Sequence, residues 1–398
     1  MIRISCLVHG KGTVSEALKY RHRSVQDIPS GFIAFSHIRR PVVFWNTTWK
    51  CNLRCVHCYL SASPLPEWED ELSFEEVEAF IDDLADMRVP LLMLTGGEPL
   101  MREDFWDIAS YAHDRGLRTA LSTNGTLIDE EVAQHLKECH IEYVGISLDG
   151  ANERTHDDFR KQPGSFRRAM EGLKNCISAG LKTGIRITVT RQNYREIGAL
   201  LDIAVSLGVP RFCVYWLVPS GRGKDIYEQQ LSCEEALNIL DFLYRKAIEL
   251  GDKIEILTVD APQDAVFLMQ KMKENGLKDE YESALKLIEF TGDTCSAGER
   301  VANVDPAGNV YPCQFAQIPS LKIGNIRERR FSEIWNDDSN KVLNAFRNKQ
   351  KNLKGACGAC EFKNICGGCR VRALSAFGDI WAEDPLCPFA SHCDRDSA

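Results

Sequence analysis

No stretch of this 398-residue sequence approaches the ~20 consecutive apolar residues that a membrane-spanning helix needs, so no transmembrane segment is expected. The opening, MIRISCLVHGKGTVSEALKYRHR, lacks the unbroken apolar core of a secretory signal, and a cytoplasmic location is expected. Positive charge is scarce too: 48 Lys and Arg against 57 Asp and Glu leave a net charge of -9. Bulk attraction to nucleic acid or to an anionic membrane is therefore disfavoured, and neither is expected as a partner. Core-forming residues are not short, since 44% of the chain is hydrophobic and 26% charged, the balance of an ordinary globular protein. The length allows two or three domains.

Cysteine is what the sequence has in excess. Sixteen cysteines in a chain expected in a reducing compartment do not read as a disulfide framework, because such compartments keep thiols reduced. Ligation of metal is the better expectation, and the distribution sharpens it. Three cysteines lie between 51 and 58 and eight between 295 and 393, with Cys6, Cys139, Cys176, Cys213 and Cys233 scattered. Two separate metal-bearing regions are expected, and Cys139, Cys176 and Cys213 are expected as small buried hydrophobes.

From residue 41 onward, short β-branched or aromatic runs alternate with longer amphipathic ones, the pattern of βα units around a parallel sheet. Strands are expected near 41–46, 91–95, 118–122, 143–147, 184–189 and 211–217, each followed by a helical stretch, and Ser73 with Glu76 and Ser232 with Glu235 read as capping boxes. The fold class is thus α/β, a partial (β/α)6 TIM-like barrel. Four segments are expected: an N-terminal extension over 1–40, the barrel over 41–258, a bridging helical segment over 259–290 and a cysteine-rich domain over 291–398. The last has too few apolar residues to fold on core burial alone.

The string WKCNLRCVHCYLSA follows the first strand, which places Cys51, Cys55 and Cys58 on a loop at a strand's C-terminal end, where barrels put their chemistry. Three thiolates can hold three irons of a cubane and leave the fourth iron open. Zinc on the same cysteines with His57 is the alternative reading. This spacing is the motif of the radical S-adenosylmethionine superfamily, which the chain resembles. The resemblance implies a [4Fe-4S] cluster on Cys51, Cys55 and Cys58, and S-adenosyl-L-methionine cleaved to a 5'-deoxyadenosyl radical. It assigns cofactor contacts to His57, to Gly96, Gly97 and Glu98 of TGGEPL, to Ser122 and Asn124 of STNGT, to Ser147 and Asp149 of GISLDG, and to Arg186. Each of these polar residues has a loop-capping or ion-pairing alternative.

Cys295, Gly308 and Cys313, then CGACEFKNICGGC at 357–369, Cys387 and Cys393 resemble the auxiliary-cluster domain called SPASM. DPAGNVYPC reads as a hairpin returning Cys313 toward Cys295. The resemblance implies one auxiliary [4Fe-4S] cluster on Cys357, Cys360, Cys366 and Cys387, and another using Cys295, Cys313 and Cys369. Two residues separate Cys366 from Cys369 where the family has three, which leaves one or two auxiliary clusters open.

The opening residues, PVVFWNTTWKCNLRCVHCYLSA and GGCRVRALSAFGDIWAEDPLCPF are similar to the radical enzymes of the alternative haem and haem d1 pathways, in particular the 12,18-didecarboxysiroheme deacetylase family. A tetrapyrrole substrate and a low-potential electron donor of the ferredoxin or flavodoxin kind are implied. A carboxylate-rich macrocycle asks for Arg and Lys with aromatic walls. Arg160, Arg370 and Arg372 are candidate partners, Trp216 and Trp381 candidate walls, and His156 or His9 candidates to approach a substrate iron. A sister tetrapyrrole reaction, a SPASM peptide-maturing enzyme and a non-catalytic iron-sulfur carrier are the alternatives.

Overall fold

The structure is a computed structural model that describes residues 1–9, 40–68, 70–291 and 295–390. Cys393 and most of the 1–40 extension lie outside the described residues. Seven strands run parallel in sequence order: β1 Val42–Asn46, β2 Leu92–Thr95, β3 Thr119–Thr123, β4 Tyr143–Ser147, β5 Thr183–Val189, β6 Arg211–Trp216 and β7 Glu255–Val259. The first six are the expected ones. Each connection carries a helix, as parallel neighbours require. Val43, Trp45, Leu92, Leu94, Val144, Ile146, Ile185 and Ile187 are fully buried and join helix residues such as Val77, Leu84, Leu136, Leu173 and Leu200 in one core. Both capping boxes are formed: Ser73 and Glu76 open the helix Phe74–Asp86, and Ser232 and Glu235 open Cys233–Leu250.

Two features exceed the sequence reading. The seventh strand, EILTV, is short and is flanked by a glycine turn that hides its alternation. Its free edge is closed by the start of the chain, where Ile2 and Thr258 exchange backbone hydrogen bonds of 2.6 and 2.8 Å and the helix Ile4–His9 is mostly buried. At the other edge the cysteine-rich region continues the same sheet. β8 Val301–Val304 pairs parallel with β1, and β9 Asn309–Tyr311 and β10 Gly324–Asn325 extend it antiparallel. Helices Gln263–Glu274 and Lys278–Thr291 connect β7 to this edge.

A second link joins the two regions from within. Arg372 and Asp384 form an ion pair, Nε to Oδ1 2.9 Å, with both side chains 0% exposed. Asp384 also accepts from the backbone N–H of Cys369 at 2.7 Å and of Leu386 at 3.1 Å. Arg372 donates to the carbonyls of Leu217 and Asp260, which end β6 and β7. The pair is therefore a bolt between the barrel mouth and the loop bearing Cys369. Arg372 is fully occupied there, and is not a substrate-facing arginine.

Removing one partner strands the other charge in the interior, which costs about 3–5 kcal/mol. Asp384→Ala is expected to lower unfolding free energy by that amount in urea titrations, and Asp384→Asn, which keeps acceptors for the two backbone donors, by less.

Candidate functional site

The loop after β1 is held from several sides. Thr47 N–H reaches Thr95 O at 2.7 Å, Cys51 N–H reaches Ser63 O at 3.0 Å, and Val56 N–H reaches Phe159 O at 3.1 Å. Cys51 and Cys55 are buried and Cys58 is half-buried, all three facing one cavity that encloses about 1040 Å³. Donors surround the sulfurs: Leu53 N–H lies 3.4 Å and Asn124 Nδ2 4.0 Å from Cys51 Sγ, and a guanidinium nitrogen of Arg160 lies 3.5 Å from Cys55 Sγ. Burial pushes the thiols of Cys51 and Cys55 upward in pKa. Thiolates at this place therefore need a bound cation to hold the charge.

Gly96, Gly97, Ser122, Asn124, Ser147, Arg186 and His57 all line the same cavity. At Gly97 a Cβ would sit 2.0 Å from the carbonyl oxygen of Lys50, and Gly96 has φ +141°. Only bare backbone fits there, so the N–H groups of Gly97 and Glu98 bond Thr48 O and Lys50 O, each at 2.8 Å. Arg186 bonds Ser122 and stacks 4.8 Å from the Tyr215 ring. His57 stacks on Phe159 at 4.5 Å.

Two of the expected residues sit behind the wall. Glu98 is fully buried, and its oxygens accept from Thr123 Oγ1 at 2.7 Å and Asn124 N–H at 2.8 Å. Burial pushes it up to about 7 despite those bonds. Asp149 is equally buried, accepts from Thr188 N–H at 2.7 Å and is ion-paired with Arg160. Burial opposes its charge, but Arg160 and the surrounding donors outweigh that and leave its pKa lowered. Arg160 is thus braced by Asp149 and presented to Cys55. His156 is buried and accepts from Asp149 N–H at 3.1 Å, and His9 contacts Ala247 O at 2.8 Å, so neither lines the cavity.

The auxiliary cysteines form two groups. Cys295 and Cys313, returned by the β8–β9 hairpin, line a second cavity with Cys369, and Cys313 senses the charges of the other two. Cys366 and Cys387 each sense Cys357, and Cys387 also senses Cys360. The partition suggested by the resemblance is the one the chain folds into. Arg370 donates 3.7 Å to Cys357 Sγ and to the carbonyls of Ile380 and Ala382, a thiol-supporting role more than a substrate-facing one. Trp381 packs on Phe346 and lines neither cavity, whereas Trp216 lines the first. Cys139, Cys176 and Cys213 are buried as expected, and Cys233 is the one disulfide-bonded cysteine among the described residues.

No group of three or more His, Cys, Asp or Glu among the described residues gathers as a single ion would require. Thiolates on one Zn²⁺ at about 2.3 Å would be drawn much closer together than in a cubane. The donor sets suit iron-sulfur clusters: soft thiols only, flanked by N–H groups aimed at sulfur. The second cavity, about 1650 Å³ and mainly apolar, shares Phe44, Tyr215, Asp260, Gln314 and Phe315 with the first. Tyr215, Asp260 and Gln314 were not singled out in the sequence. Tyr215 and Asp260 stand at C-terminal strand ends, a signal that identifying β7 would have exposed for Asp260.

Gly97→Ala is expected to displace the Cys51 loop, lowering both melting temperature and iron content. Asp264, buried and hydrogen-bonded by Trp216 Nε1 at 2.7 Å, is pushed up to about 7 by burial. A carboxyl raised in the folded state contributes stability below its unfolded pKa of about 4 and loses it as pH rises through 7. Asp264→Asn is expected to flatten the decline of melting temperature across that window.

Residues 45–204 match the Radical SAM superfamily, and residues 295–361 match SPASM, an iron-sulfur cluster-binding domain. The chain is 42% identical to Fe-coproporphyrin III synthase of Methanosarcina barkeri, over 97% of both chains. It is 38% identical to AdoMet-dependent heme synthase of the same organism, over 87% of this chain and 95% of that one. Among solved structures, Streptococcus suis SuiB bound to S-adenosylmethionine superposes with a TM-score of 0.69, covering 88% of this chain and 77% of that chain at 17% identity, a likeness of fold. Together with the thiol loop, the bare-backbone glycines and the two auxiliary groups, these matches place the cofactors: a [4Fe-4S] cluster, S-adenosylmethionine and auxiliary iron-sulfur clusters. The chain belongs to the radical SAM superfamily, in the branch with a SPASM domain that includes Fe-coproporphyrin III synthase and the AdoMet-dependent heme synthases.

Proposed function

We propose that this enzyme removes the two acetate side chains of 12,18-didecarboxysiroheme to give Fe-coproporphyrin III. The observation that carries this reading is the 42% identity to Fe-coproporphyrin III synthase over 97% of both chains, which includes both ends. AdoMet-dependent heme synthase and pre-heme d1 synthase of Dinoroseobacter shibae align over 87% of this chain at 38% and 35%, so sister reactions rank second. The two connected cavities support a large, mostly apolar substrate reaching from the first thiol group to the group of Cys295, Cys313 and Cys369.

In this proposal Cys51, Cys55 and Cys58 hold the reactive cluster, and Gly96, Gly97, Ser122, Asn124, Ser147 and Arg186 form the S-adenosylmethionine cradle with His57 at its wall. Glu98 and Asp149 act from behind, fixing Asn124 and Arg160. Cys357, Cys360, Cys366 and Cys387 hold one auxiliary cluster, and Cys295, Cys313 and Cys369 hold another. When bound, cluster and S-adenosylmethionine supply a 5'-deoxyadenosyl radical that takes a hydrogen atom from the substrate. The protein's own work is to exclude water, to place the macrocycle and to meet its carboxylates with Arg186 and Arg222 at the first cavity and Arg300 at the second. A ferredoxin- or flavodoxin-like donor supplies electrons. Among the described residues no helix is long and apolar enough to cross a membrane, and we assign the enzyme to the cytoplasm, whose reducing conditions suit so many thiols.

Anaerobic incubation of the reconstituted enzyme with didecarboxysiroheme, S-adenosylmethionine and a reductant is expected to yield 5'-deoxyadenosine and a tetrapyrrole lacking two acetate units by mass. 5'-Deoxyadenosine beside an unchanged macrocycle sinks the deacetylation reading and points to a sister substrate. Cys55→Ala is expected to abolish both products while leaving auxiliary iron in place.

A further inference from the structure

Five residues form the partition between the two cavities, and Asp260 is the carboxylate among them. Among the described residues it is also the one Asp or Glu that lines either cavity. It follows directly on β7, at the strand's C-terminal end, with a φ of +72° that side-chain-bearing residues seldom adopt. That backbone is held in place by Arg372, which takes its carbonyl, so the strain is fixed by the buried ion pair described above. The side chain is not consumed by structure: Oδ2 is buried and has no hydrogen-bond partner. A buried, unsatisfied carboxylate oxygen is costly when charged and cheaper when protonated.

We infer that Asp260 is the acid of this site, delivering a proton to the two-carbon fragment released from the macrocycle. This rests on the deacetylation reading. Once a hydrogen atom has been taken from the carbon beside the one bearing the side chain, the bond to the CH₂COO⁻ group breaks homolytically. One electron of that bond completes the new ring double bond, and the other leaves on a carboxymethyl radical. Acetate forms when this radical gains one electron and one proton. The electron comes from the low-potential one-electron donor that radical SAM chemistry already requires. The proton needs a group in the cavity that carries one near neutral pH.

The other polar groups serve this poorly. Arg160, Arg186 and Arg222 keep their protons, and burial pushes the phenol of Tyr215 upward. Burial pushes Asp260 up to about 7, moderated by the Met1 amino group, Arg372 and Arg186. Tyr215 and Cys369 are the other titratable groups that sense it. A donor poised there matches the optimum for acid catalysis near neutral pH.

Asp260→Asn is the informative variant, since Asn tolerates positive φ and has nearly the same shape, and Asp260→Glu tests rescue. Iron content and melting temperature are expected to stay at wild-type levels in Asp260→Asn. In D₂O the wild type is expected to release acetate carrying one solvent deuterium. Asp260→Asn is expected to release acetate about 100-fold more slowly or worse, with 5'-deoxyadenosine still formed, and Asp260→Glu to recover part of the loss. Infrared difference titration of the anaerobic protein without substrate is expected to show one fewer carboxyl titrating near neutrality in Asp260→Asn. Acetate without deuterium from the wild type, wild-type acetate release by Asp260→Asn, or an unchanged carboxyl amplitude each overturns the assignment alone. A wild type that forms 5'-deoxyadenosine but no acetate overturns the deacetylation reading, and this inference with it.

Discussion

The architecture depends on one fully buried ion pair, Arg372 with Asp384. Burying two charges is expensive, and the cost is offset only because each partner also takes several backbone groups. Through those groups the pair sets three things at once: the direction of the loop bearing Cys369, the ends of β6 and β7, and the backbone of Asp260. A hydrophobic substitute of equal volume would fill the space but leave those donors and acceptors without partners. Position across the cavity partition is thus controlled by polar geometry, while apolar burial supplies the bulk of the stability.

The first thiol loop is governed by a different constraint, close backbone approach. Gly97 lies against the Lys50 carbonyl with no room for a side chain, so the segment after β2 and the loop after β1 behave as one unit. Glu98 then ties that unit to the end of β3 through Thr123 and Asn124, and Asn124 points its amide at Cys51. The glutamate's contribution is the alignment of neighbouring groups, made from inside the wall.

Much of this was legible in the residues. The six strands, both capping boxes, the thiol loop at a strand end and the division of seven auxiliary cysteines into groups of four and three were all readable from spacing or family likeness. What escaped has physical reasons. EILTV is five residues long and gives a weak period, so β7 and with it Asp260 were missed. Arg370 and Arg372 look like surface cations in a linear string, because nothing local announces that Asp384 and a set of carbonyls await them. Glu98 and Asp149 sit in the right segments, but whether a side chain faces a cavity or its back depends on rotamer and burial that no motif encodes.

The parallel pairing of β8 with β1 has a further meaning for how such proteins are cut and joined. A chain stopped before residue 295 would leave the first barrel strand as an edge, with its N–H and C=O groups offered to any passing strand. The cysteine-rich region therefore also works as an edge guard, and shuffling it between relatives as a free-standing module would invite aggregation unless the recipient barrel kept a strand to occupy that side.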